Sequence, residues 1–273
     1  MLAEERRQRI LETLRAEGHV VAKELAERFD ISIDSVRRDL TLMEEQGHLQ
    51  KTYGGAVAPV PAPKTRALPK PEEERYGDGS PHQDAIAKRA ASYIRSHDTV
   101  FIGGAGIHFG MLKHLPSDIP FTVVTNSIKI AEAIRKREFL TSYLIGGKLR
   151  AESAGSMIDV LAIEMIGKFA MDIVFMTGGG IGPAGVSTAT PEGAAFARAA
   201  AQASRRRICL APHEKLGHRQ FVVSVPIDTI DILITDLAAP KNIIEQIERQ
   251  RVQVVYADDN ETMGSGDREM DSR

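Results

Sequence analysis

Between residues 99 and 256 the chain keeps returning to one pattern, a short apolar run that stops at glycine or a small polar residue. The runs are TVFIGG, PFTVVTN, TSYLIGG, MDIVFMTGGG, RRICLAP, ILITD and VQVVYA. They are apolar on successive residues rather than on alternate ones, which suits strands covered on both faces, as in a parallel sheet. Helical spacing is predicted over Gln83–Arg95, Ile128–Lys136, Met157–Phe169 and the alanine-rich Glu192–Ser204. Strand and helix in alternation imply an α/β fold with a mostly parallel sheet between two helical layers.

A different texture precedes it. From Arg6 to Val57 three short helical patterns are followed by two extended pieces and a turn. The first, about Glu4–Glu17, places Ile10, Leu11 and Leu14 on one face and stops at Gly18. The second, Ala22–Phe29, contributes Leu25 and Phe29. Ser32 is a good N-cap for the third, with Asp34 in its first turn near the positive helix end. Within that helix Ile33, Val36, Leu40 and Met43 form an apolar stripe, and at about 100° per residue Arg38 points away from it. Arg37 sits on the flank, and neither arginine has an acidic residue four positions on. HLQKTYGGAV then reads as a hairpin turning at or just before Gly54–Gly55. Helix-turn-helix proteins set such a third helix in the major groove. On that reading Ser32, Asp34, Ser35, Arg37 and Arg38 face DNA from the helix, and Lys51, Tyr53 and Gly54 touch flanking backbone from the hairpin.

Charge neither suggests nor excludes this. The whole chain carries −2, and Arg6 to Lys51 holds nine Lys/Arg against nine Asp/Glu. A neutral module must bind phosphate through where its charges sit, and it binds weakly alone, so a homo-oligomer is expected. Between the two regions, residues 58–81 hold six of the 13 prolines among charges, an extended linker. The domains are therefore read as 1–57, a linker over 58–81, 82–256, and a polar tail over 257–273. No run is apolar and long enough to span a membrane, the N-terminus has no signal-peptide core, and one cysteine, Cys209, rules out an internal disulfide framework. A reducing cytoplasm is expected, with Cys209 a buried, inert thiol.

Chemistry-bearing motifs are few. HExxH, GxSxG, CxxC and GxxxxGK[ST] are absent, and histidine spacing suggests no metal, so no catalytic group, metal or cofactor is assigned. The glycine-rich ends of the apolar runs are the candidates for a small-molecule pocket, because ligands of parallel sheets sit outside the carboxyl ends of strands. They supply Gly104, Ala105 and Gly106; Thr125 and Asn126; Gly146, Gly147 and Lys148; and Gly179. Tight strand-to-helix turns need glycine in any case, so the loops alone leave both readings open. Arg198, alone in its alanine-rich helix, and Lys215 in PHEKLGH are the cations near them.

With ISIDSVRRDLTLMEEQGHLQKTYGGAV in view, the chain resembles the DeoR family of bacterial transcription regulators. The third helix carries V-R-R-D-L and the hairpin ends in Y-G-G-A. FTVVTNSIKIAEAI, LIGGKLR, EKLG and ILITD follow in the family's order, so the likeness spans about residues 5–256. It implies a winged helix ahead of a sensor domain similar to the ribose-phosphate isomerase and CoA-transferase group. It further implies a repressor of a sugar, polyol or related operon, released from operator DNA when a sugar phosphate or kindred metabolite binds. The family's Asp and Gly-Thr-Thr loop is replaced here by Gly103 and Ala105-Gly106-Ile107, and its Asp-x-Ser-Lys by Pro212-His213-Glu214-Lys215. A sensor answering to a non-phosphorylated ligand or to none, and an isomerase-like enzyme, are the other readings left open.

Overall fold

The computed structural model describes residues 3–45, 48–57, 76, 79–149 and 156–257. Most of the expected linker and tail lies outside them. The chain divides into two compact units, 1–62 and 63–273, with the division inside the proline-rich stretch.

The first unit is a winged helix. Helices α1 (Ala3–Glu17), α2 (Ala22–Phe29) and α3 (Ile33–Glu45) are joined by strand β1 (His19–Val21) and closed by the hairpin β2 (Gln50–Thr52) and β3 (Gly55–Val57). The three strands make an antiparallel sheet in the order β1-β3-β2. Strand β1 is missing from the sequence reading, since three residues wedged between helices carry no periodicity of their own. Asp30 takes a left-handed conformation (φ 51°) to end α2, and the Ile31 N–H returns to the Ala26 carbonyl at 3.1 Å. That fixes the short turn into α3. Ile10, Leu14, Val20, Leu25, Val36, Leu40, Met43 and Ala56 fill the core. One expectation is corrected: Ile33 is 38% exposed, because as the first residue of α3 it lies beyond the neighbouring helices' cover.

In the second unit seven strands form one parallel sheet: β4 (Thr99–Ile102), β5 (Phe121–Thr125), β6 (Leu140–Leu144), β7 (Met171–Met176), β10 (Ser204–Leu210), β12 (Ile232–Thr235) and β13 (Gln253–Tyr256). They correspond to the seven apolar runs, in the order β13-β12-β10-β7-β4-β5-β6. Burial on both faces is visible along β7, where Ile173 and Phe175 enter one core while Met171, Val174 and Met176 enter the other. Helices α4 (Pro81–Ala91), α5 (Gly106–Met111), α6 (Ile128–Ile134), α7 (Val160–Ile166), α8 (Pro191–Gln202) and α9 (Lys241–Glu248) cover it. A small antiparallel sheet, β11-β9-β8, is added by β8 (Gly180–Gly182), β9 (Gly185–Thr188) and β11 (Val222–Val225). The sequence reading does not include its strands. Because all seven main strands run the same way, every loop singled out above as a strand end opens on one edge of the sheet.

Candidate functional site

On α3 the motif V-R-R-D-L divides its labour. Val36 and Leu40 are buried, and so is Asp39, whose carboxylate receives Arg6 Nε at 2.6 Å and Arg7 NH1 at 3.4 Å. This ion pair locks α1 onto α3, and the sequence reading missed it because the partners lie 32 and 33 residues apart. Arg37 and Arg38 are exposed beside it. Arg37 NH1 reaches Asp34 Oδ1 at 3.5 Å, a loose pair three residues back along the helix. Arg38 has no ion-pair or hydrogen-bond partner among the described residues. At the helix start the Ser35 N–H donates to Ser32 Oγ at 3.2 Å, so Ser32 is the N-cap, and the two hydroxyls lie 2.9 Å apart.

The hairpin is laced to the same helix. The Lys51 N–H donates to Glu44 Oε1 at 2.8 Å, and Lys51 Nζ donates to Thr41 Oγ1 at 2.8 Å. Tyr53 stands fully exposed at the tip beside exposed Gly54. The eight predicted DNA-facing residues therefore fall on α3 and the wing that α3 anchors. Arg38 presents a free cation and a planar fork of donors, the form that pairs with a guanine edge or a phosphate.

The sensor edge is less open than its glycines suggest. A Cβ on Gly178 would lie 2.7 Å from the Ser187 carbonyl oxygen, and one on Gly179 would lie 2.7 Å from Gln220 Cγ. Gly179 is thus required by close packing. Gly147 (φ 148°) lies against Asp159, the N-cap of α7, whereas Gly146 faces open space. Gly104 presses on Ser127 and Ser156, and its carbonyl accepts from the Tyr76 hydroxyl at 2.8 Å. Tyr76 also packs edge-on against Phe109, and Lys129 Nζ stands 4.6 Å from its ring centre. Ala105 is the N-cap of α5 and Gly106 opens that helix.

Thr125 and Asn126 are buried and serve their own loop. The Ser127 N–H donates to Thr125 Oγ1 at 3.1 Å, and Asn126 Nδ2 donates to the Met157 carbonyl at 2.8 Å. Asn126 Oδ1 is buried without a partner among the described residues. Arg198 is placed elsewhere than expected. Its guanidinium donates to the carbonyls of Val223 and Ser224 at 3.1 and 3.2 Å, pinning β11 to α8. That leaves Lys148, exposed, and Lys215, half-buried, as the edge cations with no partner among the described residues.

Two buried groups clarify what the edge does not do. His108 Nδ1 donates to the Gly103 carbonyl at 3.2 Å, and burial lowers its pKa to about 4, so the ring is neutral and no proton donor at neutral pH. Burial pushes the Cys209 thiol up to about 12, as expected of an inert core cysteine.

The sequence gives no warning of a third grouping. His82 near the start of α4, His213 and Glu214 on the turn after β10, and Asp236 just after β12 converge, with one ligand atom of each within 4.8 Å of the others. Positions 131 residues apart cannot be read as a spacing motif.

The chain matches two family descriptions. The DeoR-like helix-turn-helix domain covers residues 6–61, and the DeoR C terminal sensor domain covers residues 80–237. The chain belongs to the DeoR family. The HTH-type transcriptional repressor GlcR of Bacillus subtilis (strain 168) is 30% identical over 96% of this chain and 99% of its own length. Transcriptional repressor AccR of Agrobacterium fabrum is 30% identical over 93% of this chain and 97% of its own. The glycerol-3-phosphate regulon repressor of Escherichia coli (strain K12) is 25% identical over 90% and 95%. These relatives are named as transcriptional repressors, not enzymes. Among solved structures, ribose 5-phosphate isomerase A from Neisseria gonorrhoeae overlaps 50% of this chain and about half of its own, 53%, at 13% identity and TM-score 0.35. Likeness at that level carries no functional weight. No helix among the described residues is long and apolar enough to cross a membrane.

Proposed function

We propose that this DeoR-family chain represses transcription by reading a specific double-stranded DNA site with α3, and that a small anionic metabolite at the sensor edge releases it. The observation that carries the first half is the contrast between adjacent residues. Asp39 is buried against Arg6 and Arg7, which fixes the helix, while Arg38 is exposed and unpartnered one position earlier. Arg38 reads a base edge; Ser32, Asp34, Ser35 and Arg37 line the same contact, and Lys51, Tyr53 and Gly54 meet the flanking backbone. Arg38→Ala should weaken binding to a selected DNA site by about 1–3 kcal/mol and relax preference at one base position. An unchanged affinity in a mobility-shift assay, with the fold intact, would overturn that assignment.

The second half rests on Lys148 and Lys215, cations without internal partners at the edge where parallel sheets hold ligands. The names of the relatives point to carbon metabolism, with a phosphorylated sugar or polyol as effector. The chain acts without catalysis, since residues 103–107 offer no carboxylate to serve as a base. Thermal-shift measurements with sugar phosphates, free sugars and polyols separate the cases, because a ligand that prefers the folded state raises the midpoint. A rise only with neutral sugars would overturn the anionic effector.

The functional unit is a homo-oligomer. Tyr143 and Leu144 on edge strand β6, Leu149 after it, and Leu161 and Met165 on α7 are all exposed large apolar residues. Tyr143 packs on Phe169, and Met165 Sδ accepts from the Gly146 N–H, which sets α7 beside the end of β6. Exposed apolar side chains gathered at one sheet edge mark an association surface. Two neutral winged helices held together also bind DNA far better than one. Leu161→Glu should convert the oligomer to monomer in sedimentation runs; an unchanged mass would place the interface elsewhere.

A further inference from the structure

We propose that His82, His213, Glu214 and Asp236 form a binding site for one divalent transition-metal ion of the zinc class, at the carboxyl ends of β10 and β12. The elements bring the four together from distant parts of the chain. Strands β10 and β12 are parallel neighbours, so the turn His213–Lys215 and Asp236 emerge side by side. Helix α4 lays His82 across them.

The distances suit an ion. Zinc bonds to imidazole nitrogen and carboxylate oxygen are about 2.0–2.2 Å, which puts ligand atoms of a tetrahedron about 3.4 Å apart. Here His213 Nδ1 lies 2.9 Å from Asp236 Oδ1 and 3.7 Å from Glu214 Oε2, and His82 Nε2 lies 3.1 Å from Glu214 Oε2. Three edges of the tetrahedron are therefore close to their final length, and the widest separation of 4.8 Å needs a contraction of side-chain size.

The donor set is selective. Two imidazoles and two carboxylates favour zinc and its neighbours over calcium or magnesium, which take oxygen shells. Both carboxylates are also held from behind, as metal ligands usually are. Glu214 Oε1 accepts from Gln83 Nε2, leaving Oε2 toward the histidines. Asp236, 4% exposed, accepts the His213 N–H at 2.9 Å on Oδ2 and the Ala238 N–H at 3.0 Å on Oδ1. His82 Nε2 has a second neighbour in Ser80 Oγ at 3.1 Å.

The competing account is a pair of His–carboxylate hydrogen bonds that merely close α4 onto the sheet. His114 and Asp84 make such a pair, Nε2 to Oδ1 at 3.0 Å, with no third His, Cys, Asp or Glu converging on it among the described residues. That pair supplies the internal control. A bound ion would tie α4, the first helix of the sensor unit, to the turn that carries Lys215.

The test uses the untagged full-length chain, stripped with a chelator and titrated with Zn2+ in a calorimeter. One ion per chain is expected, together with a higher thermal midpoint and, on replacing zinc by Co2+, the intense visible bands of a four-coordinate site. His82→Ala, His213→Ala and the near-isosteric Glu214→Gln should each weaken binding at least about tenfold, a loss seen even for groups one shell further from a metal. His114→Ala should bind as the parent does. No Zn2+ binding by the parent chain would overturn the site, as would equal affinity in all four variants. Because zinc binding is read without DNA or metabolite, failure of the site is distinguishable from failure of the repressor reading.

Discussion

The outward face of α3 and the glycine-rich edge of the sensor sheet are both polar surfaces carrying sequence motifs, but their key side chains differ in what they already hold. On α3 the groups with a structural duty are buried, Asp39 above all, and Arg38 beside it is unspent. At the sensor edge most polar groups that look available are already engaged. Arg198 holds β11, Asn126 ties its loop to Met157, and Gly178 and Gly179 allow backbone and Gln220 to approach. The difference teaches that a motif's residue types say less than which donors remain without an internal partner. By that test the exposed face of α3 keeps Arg38 without an internal partner among the described residues, and the sheet edge keeps Lys148 and Lys215.

The sharpest way to break the contrast is Asp39→Ala. Removing one member of a buried ion pair leaves Arg6 and Arg7 with uncompensated charge, which costs about 3 kcal/mol, the low end of the range because both arginines can turn toward water. Hydrogen exchange over residues 3–57 of the full chain should rise, with residues 79–257 unaffected. If protection of α1 and α3 persists, the pair does not organise the helix and Arg38's orientation needs another cause.

Second in size is a pH effect confined to the sensor unit. The folded pKa of His108 is about 4, below the unfolded 6.5, because burial disfavours the charged ring. The unfolded chain then takes up a proton that the folded chain refuses. Stability from this residue is complete above pH 6.5 and is lost as pH falls toward 4, about 2 kcal/mol of it by pH 5. His108→Asn retains a donor for the Gly103 carbonyl and should flatten that slope in denaturant titrations. An unaltered slope would mean other groups set the acid response.

Much of this was legible in the sequence, and the failures have physical causes. The seven apolar runs gave seven parallel strands, because burial on both faces leaves a signal in every residue. Ser32 and the exposure of Arg38 followed from capping chemistry and helical period alone. Strand β1, the β8–β9–β11 sheet and the Asp39 ion pair did not: three-residue strands such as β1 and β8 are too short for a readable period, and ion pairs between helices have no spacing. The partners of Arg198 were hidden for a related reason: an odd cation in an apolar helix suggests a ligand, yet carbonyls on a neighbouring strand can engage it. The four-group cluster of His82, His213, Glu214 and Asp236 is the extreme case, assembled by strand order and by the packing of α4.

The third expectation sets the engaged cation Arg198 against the unpartnered Lys215. Arg198→Ala removes two charge-assisted hydrogen bonds from an exposed side chain, so about 1 kcal/mol of stability should go, while any effector-induced thermal shift is retained. Lys215→Ala should do the reverse, sparing stability and abolishing the shift. The opposite assignment of losses would restore Arg198 to the pocket and remove Lys215 from it.

The smallest effect is expected at the wing, and it tests whether vacancy there means contact. Two glycines follow Tyr53, and they differ in what a side chain would meet. A Cβ on Gly55 would sit 1.9 Å from the Val20 carbonyl oxygen across the β1–β3 pairing, so that glycine is a packing requirement. A Cβ on Gly54 would meet nothing within 4 Å, and its φ is not left-handed. Gly54→Ala should therefore change stability by less than about 0.5 kcal/mol, the range of ordinary surface substitutions. Any loss of DNA affinity at this position must then come from the approaching duplex rather than from the fold. If the backbone of the wing lies against phosphate, as proposed, the added methyl holds it off and affinity falls, though by less than for Arg38→Ala. Measured across several salt concentrations, the loss should be alike for specific and random DNA, since phosphate contacts carry no sequence information. A loss restricted to the specific site would instead mean that the wing reads bases, and an unchanged affinity would confine DNA contact to α3.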